Sequence, residues 1–340
     1  MKLARFLLFP FAIVYDLITS IRNFLFDKGV FKSISFDIPV ISVGNLNVGG
    51  TGKTPQIEYL IRLLSGKNRV AVLSRGYKRS TKEFLLLNNS HTAVDVGDEP
   101  LQFFKKYTNI QVAVDTNRVN GIQKLLAQTN PSEIVLLDDA FQHRKVKAGF
   151  SILLTKYDDL FTHDFLLPTG NLRENRSGAN RADTIIVTKC PKDLSISKQE
   201  IIANKVRFNS SQSVFFTAIS YADTLGGYQK ISISNLKDYQ LVLVTGIANP
   251  SPLLQFLDEN ECRYVHLKFS DHYQFTARDI KEIQQEYQQI PSTKKLIVTT
   301  EKDVARLADK IQNICYLPIE TSFLNNESSL FDKEILDFIQ

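Results

Sequence analysis

Cysteine is scarce in this 340-residue chain: Cys190, Cys262 and Cys315 are the whole complement. They form no CxxC pair and their number is odd, which argues against a disulfide framework and a zinc site. That points to a reducing, cytosol-facing protein. Histidine is sparse as well, at five residues, and internal repeats and low-complexity tracts are missing. Charge of one sign is also lacking, since 41 basic against 36 acidic residues leave a net charge of +5. Spread over this length, that is too mild to argue for nucleic acid. It suits an anionic small molecule or an anionic membrane surface. What is present, 43% hydrophobic and 23% charged residues, excludes a disordered or collagen-like chain. The length predicts two domains.

The N-terminus is the compositional oddity. Phe6–Tyr15 is an apolar run interrupted only by Pro10, too short for the roughly 20 apolar residues of a bilayer span. A signal peptide fits poorly. The apolar pattern continues past Asp16 through Leu17, Ile18, Ile21, Phe24, Leu25 and Phe26, and no small-residue cleavage site follows. Leu3, Leu7, Val14, Ile18, Ile21 and Leu25 fall on one face of a helix, with Lys2, Arg5, Arg22, Lys28 and Lys32 around it. Residues 1–35 are therefore expected to form a basic amphipathic helix lying in a membrane interface. The alternative is a helix packed on the domain itself.

From residue 38 onward, short apolar runs alternate with helical patterns. Strands are expected at Pro39–Val43, Val70–Ser74, Gln111–Asp115, Glu133–Leu137, Ser151–Thr155 and Thr184–Thr188. Helices are expected up to about Leu64, at Leu101–Tyr107 and at Arg118–Gln128. Unbroken apolar strands in such alternation predict a parallel sheet buried on both faces. Near Val206 the pattern changes, and Gly226-Gly227 between two β-rich runs reads as a β-ribbon or hairpin linker. Alternation then resumes, with strands at Leu241–Thr245, Tyr264–Leu267, Lys295–Thr299 and Ile314–Pro318 and helices at Pro252–Glu259, Asp279–Gln288 and Val304–Ala308. The expected division is an N-terminal helix (1–35), a first αβ domain (36–205), a β linker (206–235) and a smaller αβ domain (236–340). A cleft between two αβ units is a usual place for a ligand.

The sharpest signal is ISVGNLNVGGTGKTP, a strand, a glycine-rich loop and a helix start. Glycines let backbone N–H groups turn inward around a phosphate, and the helix N-terminus adds its dipole. Asn47, Val48, Gly49, Gly50, Thr51, Gly52, Lys53 and Thr54 form the candidate loop. Lys53 would reach the β- and γ-phosphates and Thr54 would offer its hydroxyl to Mg²⁺. The usual template places a glycine where Asn47 stands, and the MinD-like variant places a lysine where Val48 stands. The first half of the loop is thus unusual.

EIVLLDDAFQHR delivers Asp138 and Asp139 from a buried strand, the form that holds Mg²⁺ beside a phosphate loop. Gly97-Asp98-Glu99-Pro100 is a turn with adjacent carboxylates, and a kinase needs a base near the attacking hydroxyl. Read alone, it is a solvated turn. His272, beside Asp271, is open to both a structural and a catalytic reading. The run Thr188-Lys189-Cys190-Pro191 resembles the guanine-reading NKxD, but Pro191 cannot take the place of the aspartate, so adenine is the default. Arg75, Lys78, Arg118, His143, Arg144 and Arg173 fall at strand ends or in loops, where ligands bind in open αβ sheets. Arginine there would suit a second, acceptor-borne phosphate.

The ordered set GNLNVGGTGKTP, SRGYKR, VGDEP, DDAFQHR, LLPTGNLRE, SDHY and TTEKDVARL, behind an amphipathic helix, resembles the tetraacyldisaccharide 4′-kinase family of lipid A biosynthesis over nearly the whole chain. The resemblance implies an α/β fold: a P-loop αβα sandwich and a smaller αβα domain joined by a two-stranded β linker. It implies ATP-dependent, Mg²⁺-assisted phosphorylation of the 4′-hydroxyl of an acylated phosphodisaccharide lipid, by a monotopic protein at the cytoplasmic face of the bacterial inner membrane. No nucleic acid and no obligatory protein partner are implied. It assigns Asp98 as base assisted by His272, and Glu99 and Asp138 as acidic groups near Mg²⁺ with Thr54. Arg118, Asp139, Gln142, His143 and Arg144 would line the active-site region. Arg75, Tyr77, Asn171 and Arg173 would face the disaccharide or its 1-phosphate. Asn171 stands where the family commonly has proline. Two other classes share parts of this pattern. A MinD-type regulatory ATPase is opposed by Val48 and by the second αβ unit. A soluble small-molecule kinase would use the N-terminal helix merely as core.

Overall fold

The computed structural model describes residues 5–77, 79–271 and 273–340. His272, Lys78, Lys2 and Leu3 lie outside the described residues. The first helix, α1, is Phe9–Asp27, preceded by a 3₁₀ turn at Phe6–Leu8. The chain then runs β1 (Val40–Asn45), α2 (Lys53–Leu64), β2 (Val70–Ser74), β3 (Leu85–Leu86), α3 (Ala93–Val96), α4 (Asp98–Lys106), β4 (Gln111–Val114), α5 (Arg118–Leu126), β5 (Ile134–Asp138), β6 (Phe150–Lys156), β7 (Thr184–Thr188), α6 (Ile196–Val206) and β8 (Ser213–Tyr221). It continues with β9 (Gly226–Gly227), β10 (Gln240–Thr245), α7 (Ser251–Glu259), β11 (Arg263–Lys268), α8 (Ala277–Gln289), β12 (Lys295–Thr300), α9 (Glu301–Leu307), β13 (Ile314–Leu317), β14 (Ile319–Phe323) and α10 (Ser328–Ile339).

Among the described residues these strands make a nine-stranded sheet, β14-β8-β7-β6-β1-β5-β2-β4-β3, and a five-stranded sheet, β11-β10-β12-β13-β9. The expected parallel pairing holds through the middle of each. Both sheets are nevertheless mixed, because β3 and β14 in the first and β9 in the second pair antiparallel. In the large sheet Ile41, Val72 and Leu136 face the cluster that takes Ile57, Leu60, Ile61 and Leu64 of α2 and Phe331 and Ile335 of α10. Val40, Leu73 and Val135 face the opposite cluster, with Ile122 and Leu125 of α5. Burial on both faces explains why these strands read as unbroken apolar runs. Each fully buried Leu or Ile on α2 contributes about 1.5–3 kcal/mol.

The ribbon expected within 206–235 takes a different form. β8 pairs parallel with β7 and antiparallel with β14, whose residues lie about a hundred positions further on. Gly226-Gly227 pairs with β13 of the small sheet, and an isolated Thr224–Ser232 bridge joins the two β-rich runs. The segment through β8 therefore extends the large sheet. The chain returns to that sheet through β14 and α10, where Tyr59, Phe215, Phe323 and Phe331 form one aromatic cluster.

The 3₁₀ turn and α1 carry their apolar side chains outward. Leu7 is 81% exposed, Phe11 64% and Ile18 61%, with Val14, Leu17, Ile21 and Phe24 also exposed and only Ala12 buried. By length and composition the helical stretch Phe6–Asp27 would suffice to cross a bilayer. Its other face is bonded to the globular body from end to end. Arg5 reaches Asn171, the Tyr15 hydroxyl donates to the Arg173 carbonyl, Arg22 to the Gln142 carbonyl and Asn23 to Glu174. These bonds lay the helix along the surface of the globular body.

Candidate active site

The phosphate-loop segment leaves the centre of the large sheet between β5 and β6 and turns into α2. Gly49 and Gly52 have φ of 113° and 87°, left-handed geometry that glycine adopts at least cost. Nothing lies within 4 Å of a side chain built at Gly49 or Gly50, so this part of the loop is open. The unusual first half has a local reason. Val48 N–H donates to the Asn171 carbonyl at 2.8 Å, and Arg173 N–H donates to Leu46 at 2.8 Å. Residues 171–173 thus run against Leu46–Val48 as a short ladder. Asn47 is buried there and donates to Asp164 at 3.0 Å.

The β1–β5 register sets Val43 beside Asp138, which brings both strand ends to the loop. Lys53 Nζ lies 3.8 Å from Asp139 and 3.4 Å from the Asn45 side-chain oxygen. Arg173 grips both oxygens of Asp139, at 2.8 and 3.1 Å, and also bonds Asn45. Burial raises the Asp139 pKa, but Lys53 and Arg173 outweigh it and the net direction is down. Asp138 is fully enclosed and accepts from the Ser74 hydroxyl at 3.0 Å. Burial, followed by the charge of Asp139, pushes it up to about 6, against the pull of Lys53, with Glu99 adding to the rise. Among the described residues no three His, Cys, Asp or Glu side chains could hold a metal by themselves. A buried carboxylate with two acidic neighbours would suit Mg²⁺, and Thr54 in the first turn of α2 would add a hydroxyl.

Asp98 opens α4 behind Gly97, whose φ of 95° is left-handed geometry and where an added β-carbon would come within 3.2 Å of the Tyr77 carbonyl, a tight contact that favours glycine. Both Asp98 oxygens bond Arg306 of α9. Arg118 opens α5 and is buried, with Nη1 donating to the Asp115 and Thr116 carbonyls and Nε unpaired. Burial, countered by Asp138 and reinforced by Arg75, draws it down to about 10. His143 is pulled down to about 4 by burial and then by Arg118, Lys145, Arg22 and Arg75, so its imidazole is neutral at pH 7. Its Nε2 is buried and unpaired. Arg75 and Tyr77 are exposed.

Two residues on the sequence-derived roster serve the N-terminal helix. Arg144 donates to the Asn23 carbonyl, pairs with Asp27 at 2.6 Å and covers the Phe26 ring. Asn171 accepts from Arg5 through its side chain. Gln142 donates to the Asn45 carbonyl and to Glu174. Sequence reasoning passed over Asn45, Ser74, Glu174 and Arg306. Glu174 is 1% exposed and accepts from Asn23, Gln142 and Arg181. Its place in LREN beside Arg173 was the available signal.

The chain matches the sequence model of the Tetraacyldisaccharide-1-P 4′-kinase family over residues 4–340. It is 54% identical to a Tetraacyldisaccharide 4′-kinase of Flavobacterium johnsoniae over 345 aligned positions, covering 100% of this chain and 98% of that protein. It is 42% identical to the protein of that name from Bacteroides thetaiotaomicron, covering 98% and 93%. A crystal structure of LpxK from Aquifex aeolicus in complex with ATP superposes with a TM-score of 0.79 at 30% identity, covering 99% of this chain and all of that one. With the match spanning the loop, the acidic strand end and both sheets, the chain belongs to the tetraacyldisaccharide 4′-kinase family of ATP-dependent kinases.

Proposed function

We propose that this protein transfers the γ-phosphoryl group of ATP to the 4′-hydroxyl of a tetraacyldisaccharide 1-phosphate, in lipid A biosynthesis. The observation that carries the reading is a convergence. The phosphate loop, the β5 carboxylates and the Arg75–Arg118–His143 group meet at one strand-end edge, beside a helix whose outer face is apolar. The loop amides, Lys53 and the α2 N-terminus receive the β- and γ-phosphates. Arg173 and Asn45 keep Asp139 and Lys53 in register with them. Asp138, Glu99 and Thr54 would hold Mg²⁺, which when bound would neutralise charge on the transferring phosphoryl.

Asp98 orients the acceptor hydroxyl and takes its proton, with His272 assisting. Arg75 and Arg118 supply the positive charge that a lipid-borne phosphate requires. His143, neutral and with a free buried nitrogen, offers a hydrogen bond to a sugar hydroxyl. α1 lies in the cytoplasmic leaflet of the inner membrane with Phe6, Leu7, Phe11 and Ile18 among the acyl chains, which makes the protein monotopic.

The test is transfer from labelled ATP to tetraacyldisaccharide 1-phosphate in detergent micelles, with thin-layer separation. A labelled lipid product is expected, reduced on the order of 10²-fold or more by Lys53→Ala. ATP hydrolysis by the folded protein without labelled lipid would reject the acceptor.

A further inference from the structure

We infer that Arg306 is a positioning residue for the phosphoryl transfer: the TTEKDVAR segment of the small-sheet unit holds the Asp98 carboxylate in place from across the molecule. The inference rests on the reading of Asp98 as the base.

α9 follows β12 directly. Thr300 caps it by accepting from Asp303 N–H, and Asp303 accepts from the Thr300 hydroxyl and from Gly246 N–H at 2.8 Å. Glu301, Asp303 and Arg306 are 5%, 0% and 8% exposed, an unusual concentration of buried charge for a seven-residue helix. All three have work. Asp303 fastens α9 to its own sheet and lies 3.8 Å from Arg306. Arg306 Nε donates to one oxygen of Asp98 at 3.3 Å, and its Nη2 donates to the other. Glu301 pairs with Lys106, the last residue of α4, and Lys106 also pairs with Glu58 of α2. The helix that begins with Asp98 is therefore held at both ends by α9, and at its far end is also tied to the phosphate-loop helix.

A two-point guanidinium–carboxylate contact fixes the plane of the carboxylate as well as its position. In phosphoryl transfer through a loose transition state the demand is chiefly on placement of the hydroxyl. The arrangement secures orientation, which suits the reaction.

The experiment is steady-state kinetics of the full-length protein, with thermal melts of each variant. Arg306→Ala is expected to lower kcat by about 10²-fold, the usual cost of a displacement near 1 Å, with KM for ATP and for lipid within about threefold. Millimolar guanidinium should restore part of the activity of Arg306→Ala, and Arg306→Lys should retain more than Arg306→Ala. Added to Asp98→Ala, the Arg306 substitution should cost little further, because it acts through that carboxylate. If Arg306→Ala melts early, Arg306→Gln and Arg306→Lys carry the comparison. A kcat within twofold of the parent for Arg306→Ala, or full additivity with Asp98→Ala, overturns the inference. Near-normal turnover of Asp98→Ala alone would instead remove the base assignment, whatever Arg306 does.

Discussion

Gly52 sits at φ 87° immediately before Lys53, and a side chain there would meet only Thr188, at 3.8–3.9 Å. Space is therefore available, and the obstacle is backbone conformation. A β-carbon in left-handed geometry costs about 1–2 kcal/mol, and relaxing that strain would turn the loop amides away from the phosphates. Gly52→Ala is expected to raise KM for ATP about tenfold with little change in melting temperature, since 1.4 kcal/mol corresponds to a factor of ten. An unchanged KM would mean the loop tolerates the strain. Asp139, at φ 48°, stores comparable strain without glycine's freedom. Its bonds to Arg173 and Lys53 hold it there. Such a position was invisible in DDAFQHR, because it depends on an arginine 34 residues away.

At the scale of the element, α1 has two faces with separable duties. The outward face carries Leu17 and Ile18, 60% and 61% exposed. Burying each in a membrane interface is worth about 1.5–3 kcal/mol. Leu17→Asp combined with Ile18→Asp should reduce sedimentation with anionic vesicles more than tenfold and leave the melt unchanged. The inward face donates from Asn23 to Glu174 and from Tyr15 to the Arg173 carbonyl, which ties helix position to the segment that grips Asp139. Asn23→Ala should therefore lower kcat severalfold while vesicle binding stays normal. Equal loss of both would show that the faces act as one. The apolar stripe was legible because a helix face repeats in the sequence. Tyr15, Arg22 and Asn23 were not, since a polar side chain between stripes looks the same whether it meets water or protein.

At the scale of the whole molecule, the buried Glu58–Lys106–Glu301 group joins α2, α4 and α9. Two carboxylates share one ammonium. Burial disfavours the Lys106 charge, but Glu58 and Glu301 outweigh that and keep its pKa above the usual range. Burial and then Glu301 push Glu58 up to about 7, against the pull of Lys106. Below its ordinary carboxyl range Glu58 is protonated in both states. Between there and about pH 7 the folded state keeps the proton and the unfolded chain loses it. Stability therefore falls as pH rises through that window, by up to about 3 kcal/mol. Glu58→Gln removes the dependence. Its melting temperature should match the parent near pH 5 and exceed it by several degrees at pH 8. A parallel offset at both pH values would reject the assignment.

The sequence by itself determined what is contiguous. The apolar strands, the strand–loop–helix around Lys53, the acidic end of β5 and the amphipathic N-terminal helix are each specified by neighbours within a dozen residues, through backbone freedom, periodicity and burial. Tertiary structure decided what those features touch. The pairing of β8 with β14, the return of α10 to the large sheet, the clasp of Arg173 on Asp139 and the reach of Arg306 to Asp98 join residues at least 34 positions apart. Such contacts depend on strand register and on the packing of one unit against another, so no local pattern encodes them. The redirection of Arg144 to the N-terminal helix has the same origin: an arginine in FQHR can serve a phosphate or a carboxylate, and only the fold determined that Asp27 was the one within reach.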